Sequence, residues 1–148
     1  MSKIRAFIVP LLALPLFGGL ASAAVPAGTL DLSIERVRNH RGVLHICLTR
    51  EARHFPNCAG DPNAVKRTIP GATATLRIAD IAPGAYALSI FHDENNNGRL
   101  DSFVGIPREG FGFSRNPVVR FGAPGFRQVR IDLGPGLARQ TVRMQYLL

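Results

Sequence analysis

Oxygen-bearing side chains recur at alternate positions in residues 93–101, DENNNGRLD: Asp93, Asn95 and Asn97, then Gly98 and a further carboxylate at Asp101. Carboxylate, amide and carbonyl oxygens in that rhythm are what a short loop uses to wrap a hard cation such as calcium. Set against an EF-hand loop, Asp93, Asn95 and Asn97 take positions 1, 3 and 5, the Arg99 carbonyl position 7 and Asp101 position 9. Position 12, where a bidentate Glu normally completes the shell, is Val104, so any calcium affinity is expected to be weak. The same residue types bond to their own backbone in Asx turns and tolerate left-handed conformations. A loop that keeps its shape with no ion is therefore the alternative reading. Alternation turns Glu94 toward solvent, while Glu109 is a carboxylate that could return from downstream. His92 adjoins the loop, and a lone His at a strand end is usually packed or hydrogen-bonded.

Cys47 and Cys58 are the only cysteines. In an exported chain such a pair most simply forms a disulfide, worth about 3 kcal/mol for so short a loop. A rival set of soft ligands, His45, Cys47, His54 and Cys58, offers itself to zinc or copper, but its spacing matches no standard zinc pattern. No catalytic motif is visible: there is no G-x-S-x-G elbow, no H-E-x-x-H and no P-loop. No catalytic residue is assigned on this basis.

Residues 1–23 read as a signal peptide. Lys3 and Arg5 precede an apolar run over residues 6–20, and Ala21, Ser22 and Ala23 supply a small-residue cleavage pattern. The run is too short, and too interrupted by Pro10 and Pro15, for a spanning helix. Periplasmic or secreted localisation follows, with no membrane span after cleavage. Residues 24–148 then form a single domain. Loss of Lys3 and Arg5 lowers the net charge from +8 to +6, and Lys66 is the one remaining lysine. The arginines are scattered rather than clustered, and Trp is absent, which argues against nucleic acid. A solvated basic surface is the first reading of this charge. Attraction to anionic envelope polymers or lipid head groups is the weaker functional one.

Period-two alternation marks strands at Leu30, Leu32 and Ile34; at Leu44, Ile46 and Leu48; and at Leu76 and Ile78. It recurs at Tyr86, Leu88 and Ile90; at Val129, Ile131 and Leu133; and at Val142, Met144 and Tyr146. The expectation is an all-β antiparallel sandwich of about seven strands. Residues 61–67 (DPNAVKR) predict one helical turn with Asp61 as N-cap. Residues 103–126 are too long for an ordinary connection. With Phe103, Ile106, Phe111, Phe113, Phe121 and Phe126 they predict a Gly/Phe-rich covering loop, read as a hydrophobic plug rather than a ligand-binding lid. Should a pocket exist, Arg108, Glu109, Ser114 and Arg115 are its expected polar residues.

The run IADIAPGAYALSIFHDENNNGRLD resembles the PG-x-Y strand pair of transthyretin-like and immunoglobulin-like sandwich modules. FHDENNNGRLDSFVGIPREGFGFSRN, followed by RFGAPGFRQVRIDL, is similar to the signature of a family of secreted bacterial proteins known only as a domain of unknown function. The likeness covers essentially all of residues 24–148. It implies a periplasmic or extracellular β-sandwich and supplies no catalytic residues. The function expected is that of a non-catalytic envelope or secreted module with an unknown envelope or extracellular ligand. A small periplasmic metal-dependent hydrolase built on Asp93, Asp101 and His92 is the alternative.

Overall fold

The structure, a computed structural model, describes residues 25–148. The leader assigned to residues 1–23 lies outside the described residues. The alternating runs form β1 (Gly28–Glu35), β2 (Val43–Thr49), β3 (Val65–Pro70), β4 (Thr75–Ile81) and β5 (Gly84–Asp93). Then follow β6 (Ser102–Phe103), β7 (Ile106–Pro107), β8 (Gly110–Phe113), β9 (Ile131–Leu133) and β10 (Gly136–Arg143). A single helical turn, α1 (Phe126–Val129), precedes β9, and a 3-10 turn spans Ala52–His54.

One sheet has the order β10-β1-β4; the other runs β3-β2-β5-β8, with β9 also paired to β5. Every ladder is antiparallel except β1–β10, which is parallel and in continuous register from Gly28↔Gly136 to Glu35↔Arg143. Because successive side chains leave a strand on opposite faces, one face of each sheet is apolar. Leu30, Leu32 and Ile34 of β1 therefore share a buried core with Leu44, Ile46 and Leu48 of β2 and with Leu88 and Ile90 of β5. The chain is all-β and folds as a sandwich.

Among the described residues ten strands replace the expected seven or so, and the extra ones have identifiable causes. Residues 61–67 do not form a helical turn. Asp61 is buried and accepts hydrogen bonds from the Thr49 hydroxyl (2.5 Å) and the Asn63 N–H (2.9 Å), an Asx turn that feeds the chain into β3. The β-branched Val65, Thr68 and Ile69 then pair along the open edge of β2. Val129 sits in α1 rather than in a strand. Met144 and Tyr146 lie beyond β10: the Met144 N–H still donates to the Glu35 carbonyl of β1 at 2.9 Å, and Gln145 then exchanges backbone hydrogen bonds of 2.7 and 3.0 Å with Phe111 of β8. That exchange joins the two sheets along one side.

Residues 103–126 are not a loop but contain β6, β7, β8 and the start of α1. Three of their five phenylalanines pack as the plug reading expected. Phe111 and Phe113 point away from the main core and are buried in a second cluster with Ala87 and Val129, against which Phe55, Val119 and Phe126 pack. Phe103, Ile106 and Phe121 remain exposed. The glycines between them face the sandwich: a Cβ on Gly110 would stand 2.4 Å from the Tyr146 ring, and one on Gly112 2.6 Å from Val142. Cys47 and Cys58 form a disulfide with Cα atoms 5.7 Å apart, which fastens residues 50–64 over the same outer face of β2 and β5. The soft-metal set is thereby overturned, since both sulfurs are covalently paired.

Gly110→Ala is expected to cost about 1–3 kcal/mol, the usual penalty of overpacking where the opposing ring has nowhere to go. Urea denaturation monitored by circular dichroism measures it, and an unchanged midpoint would show that the two sheets are less tightly joined at this edge.

Candidate functional site

β5 delivers Asp93 at its C-terminal end, fully buried on the outer face of the sheet. Residues 93–101 do come together, but mainly through hydrogen bonds to one another. Asp93 accepts the backbone N–H groups of Asn97 (3.0 Å) and Gly98 (2.7 Å) and faces the His45 Nε2 at 3.2 Å. The Asn95 and Asn97 side-chain amides donate to the two oxygens of Asp101 at 2.7 and 3.0 Å. Asn96 and Gly98 take positive φ angles of 60° and 77°, the left-handed turns that Asn and Gly tolerate best. Among the described residues no three His, Cys, Asp or Glu side chains converge as a metal group. Arg99 contributes its backbone N–H to Asn97 Oδ1 at 2.9 Å.

Glu109 does return to the loop. It is buried, and its oxygens accept the N–H groups of Glu94 (2.8 Å) and Asp101 (2.9 Å), the two ends of the turn. The result is a clasp in which one carboxylate fixes the width of the loop mouth. Glu94 does not face solvent as alternation suggested. Its side chain is 7% exposed and is held by Arg38 (2.6 Å), Asn39 (2.6 Å) and Arg41 (3.1 Å). The cause is the β1–β2 connection, which folds back over the loop. Arg38 is thus no scattered surface charge: it also donates to the carbonyls of Arg108 (2.8 Å) and Leu148 (2.7 Å) and lies 4.6 Å from the Tyr146 ring centroid.

His92 faces inward, opposite to Asp93, as alternation along β5 requires. It is fully buried, with Nε2 donating to the Arg41 carbonyl at 2.8 Å and Nδ1 accepting from the Tyr146 hydroxyl at 2.9 Å. It therefore shares no solvent-reached site with Asp93 and Asp101, and the arrangement gives no support to a hydrolase. The histidine that reaches Asp93 is His45, whose other nitrogen meets the Thr68 hydroxyl at 3.1 Å and whose ring stacks on Phe91 at 4.5 Å. Only the cross-strand register reveals this contact, and the sequence does not carry it.

Beside the clasp lies an apolar groove of about 610 Å³. Phe111 and Phe113 contribute to its lining, together with Leu100, Ile106, Phe121 and Leu147; Arg120 is its one charged residue. None of Arg108, Glu109, Ser114 and Arg115 lines it. Ser114 is instead buried, its hydroxyl donating to the Val129 carbonyl at 2.5 Å.

A family model described as an uncharacterized protein conserved in bacteria (DUF2141) matches residues 32–141. The chain belongs to this family. The matched residues include four of the eight positions of β1, the clasp over residues 93–109 and every groove-lining residue except Leu147, so the site is part of the family's domain rather than an appendage. No curated protein and no solved structure matches the chain.

The Asp93, Glu94 and Asp101 carboxylates should fail together in acid. Burial alone would raise the pKa of Asp93, but the Gly98 and Asn97 N–H groups and His45 hold it below its ordinary value. Burial opposes Glu94 in the same way and is overcome by Asn39, Arg38 and Arg41; the Asn97 and Asn95 amides lower Asp101. Groups with depressed folded pKa values stabilise fully above their unfolded values, and that stabilisation disappears as pH falls through the folded ones. Protection factors of the amides in residues 94–101, taken relative to the intrinsic exchange rate at each pH, should therefore stay high at pH 6 and fall below about pH 4. Protection factors that do not change across that range would mean the carboxylates do not hold the loop.

Proposed function

We propose that this domain is a non-catalytic extracytoplasmic binding module whose working surface is the apolar groove beside the clasp. One observation carries the reading: among the described residues, most of the large apolar side chains left exposed are gathered on the segments that border this groove. They are Leu100, Phe103, Val104 and Ile106 on one side and Val118, Phe121, Leu147 and Leu148 on the other. Scattered exposed apolar residues need no explanation, but a contiguous set around a concave site marks a place where something binds. The groove volume lies in the range of small-ligand sites, and its lining is apolar with one cation. A ligand with an apolar body fits it. The sandwich provides a rigid platform, and the disulfide suits an oxidising compartment outside the cytoplasm.

Titration with the fluorescent probe N-phenyl-1-naphthylamine tests the groove. Binding with blue-shifted emission is expected, and Ile106→Asp should weaken it by tenfold or more, roughly the effect of placing a charge on an apolar wall. Equal affinity in the variant would remove the groove from the proposal.

Calcium belongs to this proposal as a supplementary ligand of the clasp, held by the Asp93, Asn95, Asn97 and Asp101 side chains and the Arg99 carbonyl. The amides of Asn95 and Asn97 would have to turn away from Asp101 to admit it, which keeps the affinity low. At tenfold excess over the dissociation constant a single ion contributes about 1.4 kcal/mol. Calcium in the millimolar range should accordingly raise the melting temperature by a few degrees over a chelator control, and identical melts would exclude the ion while leaving the clasp intact.

A further inference from the structure

The apolar residues around the groove are not all aimed into it. β6 and β7 form a hairpin, Phe103 facing Ile106 across a two-residue turn of Val104 and Gly105 with φ of 50° and 77°. Both turn residues are left-handed, a geometry that favours Asn or Gly and is strained for a β-branched side chain. Val104 is also 82% exposed, so neither packing nor backbone preference accounts for a valine at this tip. Phe103 beside it is 63% exposed, and across the groove Phe121 is 96% exposed. Phe103 and Val104 lie outside the lining of the cavity that a small ligand would fill, and Phe121 stands at its rim.

The charge around them has one sign. Residues 99–127 contain five arginines, Arg99, Arg108, Arg115, Arg120 and Arg127, and two acids, Asp101 and Glu109. Glu109 is buried and Asp101 half-buried, and both are engaged within the clasp. Arg120 lies on the groove itself, while Arg99 and Arg108 each adjoin one of its lining residues, Leu100 and Pro107. Protruding apolar tips on a segment whose unengaged charges are all arginine are complementary to an interface that is apolar inside and anionic at its surface.

From this we infer that the domain docks on an anionic lipid surface. The Phe103–Val104 tip and Phe121 enter the boundary of the acyl chains, and the neighbouring arginines meet the phosphates. This rests on the groove region being the working surface, yet it assigns a partner that probe binding does not test. A bilayer is favoured over a single amphiphile because Phe103 and Val104, at the exposed hairpin tip, are not part of the groove lining.

The test uses protein purified from cells expressing the full chain, mixed with sedimentable vesicles. One set is an equimolar mixture of phosphatidylglycerol and phosphatidylcholine, the other phosphatidylcholine alone. Co-sedimentation with the anionic vesicles is expected, with release at high salt. Val104→Asn relieves the turn while removing an apolar tip, so it should melt no lower than the parent. Combined with Phe121→Ser it should weaken vesicle binding by roughly tenfold or more. Equal binding by the double variant and the parent would overturn the inference, as would equal binding to both vesicle types. Probe binding without vesicle binding would leave the groove proposal standing and sink this one. A dimer in light scattering that Phe121→Ser dissociates would reassign the patch to a second copy of the chain and likewise overturn it.

Discussion

Glu109 sits where three pieces of chain must be held at a fixed spacing, and it does so with two backbone hydrogen bonds. Its oxygens take the N–H groups of Glu94 and Asp101, the first residue after β5 and the last before β6. It is itself the residue immediately before β8. The carboxylate therefore sets where β5 ends, where the β6–β7 hairpin begins and where the edge strand β8 enters the sheet. Such charge-assisted bonds in a buried setting are stronger than neutral ones, and removing the acceptor would leave two N–H groups without partners. Arg38 completes the arrangement from the other side, tying Glu94, the Arg108 carbonyl and the carbonyl of Leu148 into one patch.

Much of this fold is legible from residue order because its cause is local. The alternation in β1, β2 and β5 reflects a strand with one face in a core, and that core is the one the structure shows. The disulfide was legible for an equally simple reason, two cysteines in a sequence that reads as an exported chain. β3 was not, because DPNAVKR carries a genuine helix-start pattern that loses to the open edge of β2 only once the sandwich exists. GFGF at residues 110–113 was read as a cover, since Gly weakens a strand in isolation. In the folded chain the glycines are what allow β8 to lie against Tyr146 and Val142.

At the candidate site the division is similar. Asp93, Asn95, Asn97 and Asp101 were recognisable by spacing, since an ion-binding loop and an Asx loop use the same residues for the same turns. What spacing could not convey is the partner of each oxygen. Glu94 looked solvent-facing because alternation describes a strand, and the strand ends at Asp93. Arg38 and His45 were invisible as participants because their contacts are made across 56 and 48 residues of chain. The groove was missed for a related reason. Half of the Phe-rich segment packs and half does not, and only the strand register separates Phe111 and Phe113 from Phe103 and Phe121.

The polar clasp and the apolar tips are best understood as one device. A hairpin with two residues per strand has almost no stability of its own in water. An unsupported apolar hairpin beside an apolar groove would be expected to collapse into that groove and fill it. Here the Arg108 N–H donates to the Asp101 carbonyl at 2.8 Å while the Asp101 N–H is held by Glu109. The base of the hairpin is therefore bolted to a buried carboxylate. That attachment keeps Phe103 and Val104 extended into solvent and the groove open, a state that hydrophobic contact alone would not select. The concentration of hydrogen-bonding residues in DENNNGRLD thus has a physical purpose independent of any ion: it holds a strained, water-exposed apolar edge in place.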